Sequence, residues 1–131
     1  MSLFKVLVSF TALLCLYLFT LLLFNGQTFL EDLGIEVSES ALFMSRRAAV
    51  LMLGISVLML LIRNVTPSTA RQAISLSLCT TMLGLAMMGS YEWSRGYVNN
   101  GIFTAITIEL LVFSGFAWDW FKHRNIATTI A

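Results

Sequence analysis

Glu109 is the one ionisable residue well inside an apolar run, about eight residues past Gly101 and so roughly 12 Å into a helix. A carboxyl at that depth needs a cation or a proton, because a charge near the bilayer centre costs on the order of 2.5 to 3.5 kcal/mol on insertion scales. Arg46 and Arg47 offer the cation, since a helix capped by Ser38 or Ser40 carries them about two turns inward from the same side. The sequence therefore predicts that Glu109 pairs with Arg47 or Arg46. Such a pair locks helix registry, or lines a polar pocket that binds a small ligand or passes a proton. The other readings are that the arginines snorkel to phosphates while Glu109 is a protonated hydrogen-bond donor, or that the charges contact another subunit. Helical spacing places Arg47, Leu51, Gly54 and Leu58 on one face, and Ala105, Glu109, Val112 and Phe116 on another. Glu92 and Arg95, within Tyr91-Glu92-Trp93-Ser94-Arg95-Gly96-Tyr97, would stand at the mouth of that pocket, although the same segment fits an ordinary interfacial turn.

The remaining reactive side chains point to simpler roles. Cys15 and Cys79 lie in separate apolar runs, without the C-x-x-C spacing of a thiol oxidoreductase, and read as packing residues. One histidine, His123, cannot supply the two axial imidazoles of a bundle haem, and no cluster of His, Cys and carboxylates has metal-ligand spacing. No cofactor, no metal site and no catalytic residue are expected. Asp119 has Lys122, His123 and Arg124 within helical reach, so local pairing at i,i+3 or i,i+4 accounts for it, with His123 a surface residue. The acidic stretch from Asn25 to Glu39 lacks EF-hand spacing, but its interspersed Phe29, Leu30, Leu33, Ile35 and Val37 fit an amphipathic segment lying on a membrane surface.

The elements that must position these groups follow from composition. Hydrophobic residues make up 58% of the 131 and charged residues 11%, against about 25% charged in an ordinary soluble domain. Four helices of about 20 residues use most of the chain, leaving short loops and no soluble catalytic domain. The expected spans are 3–24, 41–62, 67–90 and 101–121, forming one all-α integral membrane four-helix bundle. The first is too long in its apolar core for a cleaved signal peptide. The apolar run 48–62 would reach only about 22 Å, which pushes the start of the second helix back past the two arginines. Thr66-Pro67 reads as an N-cap with proline at the first helical position of the third. Gly54, Ser77, Thr81, Gly84 and Gly89 are expected to let helices approach closely, and the third helix to be the most buried.

Loop charges orient the bundle. Lys5, Arg63, Arg71, Lys122 and Arg124 fall on one side, and Arg46, Arg47 and Arg95 on the other, where two of the three lie inside a helix. The positive-inside rule then predicts both termini in the cytoplasm. Trp118 and Trp120 at one interface, and Tyr91, Trp93 and Tyr97 at the other, fit aromatic belts. With a net charge of +1 there is no basic surplus to track nucleic acid, which is not an expected partner.

The layout of a long first helix, an outer loop, Ser45-Arg46-Arg47-Ala48-Ala49 leading into Leu53-Gly54-Ile55, and short later hairpins resembles the DoxX-like small four-span bacterial proteins. That resemblance implies a four-helix bundle in a bacterial inner membrane and carries no catalytic residues with it. Small multidrug transporters share the span count, but their essential glutamate lies in the first helix, and the first helix here has no acid. The expected function is non-enzymatic: a small membrane protein binding a lipid-like ligand or a partner protein, in contact with membrane lipids and able to form a homo-oligomer. The alternative is a small proton-coupled transporter or channel that uses Glu109.

Overall fold

Hydroxyl side chains start three of the helices. Ser2 Oγ accepts from the Lys5 N–H, Ser38 Oγ from Ala41 and Ser68 Oγ from Arg71, each satisfying a helix N–H that has no partner within the helix. The computed structural model, which describes residues 2–128 and side chains through residue 125, places helices α1 Leu3–Phe24, α2 Gly26–Asp32, α3 Glu39–Ile62, α4 Thr69–Ser94 and α5 Ile102–Thr128. No strand occurs among the described residues. α1, α3, α4 and α5 are each long and apolar enough to cross a membrane, while α2 is a seven-residue helix in the acidic connection.

The first span has the expected bounds, and the others differ at their ends. α4 starts at Thr69 with Ser68 as its cap, not at Pro67 with Thr66. It runs on to Ser94, and α5 runs past residue 121. Two helices stop at a glycine. Gly34 (φ 74°) and Gly96 (φ 77°) take the left-handed conformation, and the flanking Ile35 and Tyr97 N–H groups reach back to Leu30 and Glu92 carbonyls. This closure pairs some of the carbonyls that a helix end otherwise leaves open.

α3 packs along α1, α5 packs along α4, and α1 meets α5 to join the two pairs. Phe4, Val8, Met59, Leu78, Met82, Val112 and Phe116 form one core with residues from all four spans. Because lipid tails are as apolar as leucine, close packing and interhelical hydrogen bonds hold such a bundle more than water exclusion does. Ser56 Oγ donates to the Ala12 carbonyl (2.9 Å) and Ser45 Oγ to the Leu22 carbonyl (3.0 Å), stitching α3 to α1. Gly115 lies against the Leu7 side chain, where a Cβ would collide.

The small residues singled out from the sequence divide. Gly89 packs closely on Ile102 and Ile106, whose side chains would lie only 3.3 Å from an added Cβ. Gly54 and Gly84 have nothing within 4 Å, and Ser77 and Thr81 are exposed. Thr81 and Thr80 turn their hydroxyls back onto the carbonyls four residues earlier in their own helix. That is how a hydroxyl facing lipid satisfies itself, so hydroxyl content did not mark the packed face of α4. α4 is nonetheless the most buried span, with 28% of its 18-residue apolar stretch buried against 22% for each of the others.

Candidate functional site

Arg71, in the first turns of α4, and Asp119, near the end of α5, meet across the hairpin in the interior. Arg71 Nε donates to Asp119 Oδ2 at 3.1 Å, and Arg71 Nη2 donates to Oδ1, giving a two-pronged ion pair with side chains only 7% and 2% exposed. Such parallel contacts match the planar guanidinium fork to a carboxylate. Ser75 Oγ, one helical turn beyond Arg71, donates to Oδ2 at 3.4 Å. The Arg71 guanidinium lies 3.8 Å above the centre of the Phe4 ring, and Phe4 meets Phe116 edge-on. A charge pair otherwise costly to desolvate is thus covered by hydrogen bonds on one side and an aromatic face on the other.

His123 joins the same cluster from one turn further along α5. Its Nδ1 is 2.9 Å from the Asp119 carbonyl oxygen and 3.3 Å from Oδ1. Both neighbours are acceptors, so Nδ1 must carry the proton. His123 is therefore tied to Asp119 and only partly exposed, not a free surface residue. Asp119 finds its main partner on another helix, where the sequence suggested a neighbour on its own.

A cleft of about 480 Å³ opens above this cluster. Its walls come from three places: Ser2–Lys5 at the start of α1, residues 64–67 between α3 and α4, and Trp118, Lys122 and His123 of α5. Arg71 and Asp119 form its inner surface. The start of α1, the α3–α4 connection and the last part of α5 therefore share one end of the bundle, here the basic end. The opposite, acidic end carries Glu31, Asp32, Glu36 and Glu39, and there Asn99 Nδ2 donates to the Asp32 carbonyl while Asn99 N–H donates to that of Leu33.

The expected partnership of Glu109 with Arg47 or Arg46 does not form. Glu109 is half-buried and has no ion-pair or hydrogen-bond partner among the described residues. The reason is topological. α3 lies along α1, not along α5, and the face bearing Arg47, Leu51, Gly54 and Leu58 is exposed, while Ser45, Ala49, Ser56 and Met59 turn inward. Arg47 instead lies over the Phe43 ring at 5.7 Å. Arg46 lines a smaller cleft of about 190 Å³ beside Gly26, Gln27 and Leu42 at the acidic end. Glu109 lines neither cleft.

Glu92 and Arg95 also stay apart. Arg95 lies over the rings of Tyr91 and Tyr97 and donates to both phenol oxygens, at 3.4 and 3.3 Å. Trp93 donates through Nε1 to Asn100 and packs edge-on against Phe103, so the segment is a self-satisfied interfacial turn. Among the described residues no group of three or more His, Cys, Asp or Glu is placed to hold a metal ion.

Sequence reasoning missed Arg71 and Asp119 as a pair, yet a signal was present. They lie at equal sequence distance from Arg95, the turn between α4 and α5, so an antiparallel hairpin brings them level. Comparison with protein-family models, curated proteins and solved structures finds no match to this chain.

Proposed function

We propose that this is a small non-enzymatic protein of a bacterial inner membrane, with both termini in the cytoplasm, whose cleft at the basic end holds a lipid-like ligand. One observation carries the reading: apolar Leu3, Val65 and Trp118 share a single space with Lys5 and Lys122, over an inner surface whose own charges already neutralise each other. Amphipathic walls beside cationic groups suit an amphipathic anion at a membrane interface. The basic residues at that end support its placement in the cytoplasm. The DoxX-like layout belongs to the same proposal.

The test is extraction directly into polymer-bounded nanodiscs, transfer to detergent, and native mass spectrometry. Retention of lipid at about one per protein supports the reading. A clean, empty bundle refutes it, and a co-purified partner protein in place of lipid redirects it to protein recognition.

A second reading has its own observation. Glu109 is a half-buried carboxyl inside a span with no partner among the described residues, as expected of a group that exchanges a proton. If the protein is a proton-coupled carrier, liposomes containing it dissipate an imposed pH gradient and those with Glu109→Gln do not.

A further inference from the structure

We propose that the cleft at the basic end selects lipids whose phosphate headgroup is net anionic, through Lys5 and Lys122 with His123 beside them. This rests on the lipid-binding reading above and specifies the headgroup.

Charge balance inside the cleft carries the inference. Its lining holds Lys5, Arg71, Lys122 and His123 but only one carboxylate, Asp119. That carboxylate is committed to Arg71, with His123 Nδ1 on its remaining side. Lys5 and Lys122 have no ion-pair partner among the described residues. The cleft therefore presents two uncompensated ammonium groups over a neutralised inner surface, and the His123 Nε2 is not engaged by any described residue. A phosphodiester with no cation of its own complements this surplus. A zwitterionic headgroup brings an ammonium against the two lysines and loses that advantage.

The same geometry separates a lipid from a free anion. A volume of about 480 Å³ admits a headgroup and the first methylenes, not two whole acyl chains. The chains would continue along Leu3, Val6, Phe10 and Leu13, an exposed apolar stripe on α1 that begins at the cleft wall. Inorganic phosphate would meet the lysines but leave Leu3 and Trp118 uncovered.

Delipidated full-length protein is titrated with phosphatidylglycerol, with phosphatidylethanolamine and with inorganic phosphate, and binding is followed by native mass spectrometry. With each lysine contributing about fivefold near a membrane surface, phosphatidylglycerol is expected to bind about twenty-five times more tightly than phosphatidylethanolamine. The double variant K5Q/K122Q should bring that ratio near one, and K5R/K122R should keep it. R63Q/R124Q removes the same charge from exposed residues of the same end that do not line the cleft, and should leave the ratio within about twofold. Equal binding of the two lipids overturns the headgroup inference while leaving lipid binding intact, and binding of neither overturns both. An equal loss in R63Q/R124Q overturns it in favour of general surface attraction. Displacement of phosphatidylglycerol by equimolar inorganic phosphate overturns it in favour of a free-anion site. Thermal midpoints of all three variants distinguish lost selectivity from lost folding.

Discussion

The two ends of the bundle keep their charges in opposite ways. At the basic end Arg71 and Asp119 are withdrawn from solvent and answered by each other, by Ser75, by His123 and by the Phe4 ring. At the acidic end Arg95 stays exposed against two tyrosines, and the connection is pinned by exposed contacts of Asn99 with Asp32 and Gly101. Removing one member of a buried pair strands a charge in a medium that cannot solvate it, whereas an exposed contact is replaced by water. The ion pair therefore ties the basic end together more strongly than exposed contacts tie the acidic end, and the cleft at the basic end, about 480 Å³, is larger than the one of about 190 Å³ at the other. The Arg71–Asp119 pair forms the inner surface of that cleft, and Lys5 and Lys122 line it without an ion-pair partner among the described residues.

Substitutions that should break or sharpen this contrast can be ranked. Asp119→Ala leaves Arg71 buried without its counter-charge and should lower stability by about 3 to 5 kcal/mol, measured by denaturant titration in detergent. Adding Arg71→Met should recover most of that loss. A loss below about 1 kcal/mol in the single variant would mean that the pair is not what ties the basic end together. Gly115→Leu places a side chain into the Leu7 contact and should cost about 1 to 3 kcal/mol, while Gly84→Leu, which meets open space, should stay within about 0.5 kcal/mol. At the acidic end Asn99→Ala should cost about 1 kcal/mol and speed amide exchange across residues 33–36 without affecting α4 or α5 near Arg71 and Asp119. Glu109→Gln should shift the thermal midpoint least, an effect of about 0.5 kcal/mol or less, because no described residue depends on its charge. A large loss there would move the structural weight from the end of the bundle to its middle.

Particular residues show how far the sequence could be read. Ser38 was one of two candidate caps for α3 and is the one used, and Leu3–Phe24 is bounded as its apolar run is. Ser68 displaced Thr66 at the start of α4, because two hydroxyls lay within one turn and composition does not choose between them. The periodicity linking Arg47, Leu51, Gly54 and Leu58 was legible, but not that this face looks outward. Glu109 drew attention by its depth, whereas Asp119 was obscured by three basic neighbours on its own helix.

Span number, helix type and the grouping of basic residues at one end were determined by the sequence alone. They depend on apolar length against bilayer thickness and on hydroxyls and glycines at helix ends, all of which are local properties. Which faces meet, that α1 rather than α3 lies beside α5, and that Arg71 finds Asp119 were decided only by the tertiary structure. In water a polar face marks the outside of a helix. In lipid the outward face is as apolar as the inward one, so rotation and neighbour choice follow from fit between surfaces rather than from a pattern along the chain.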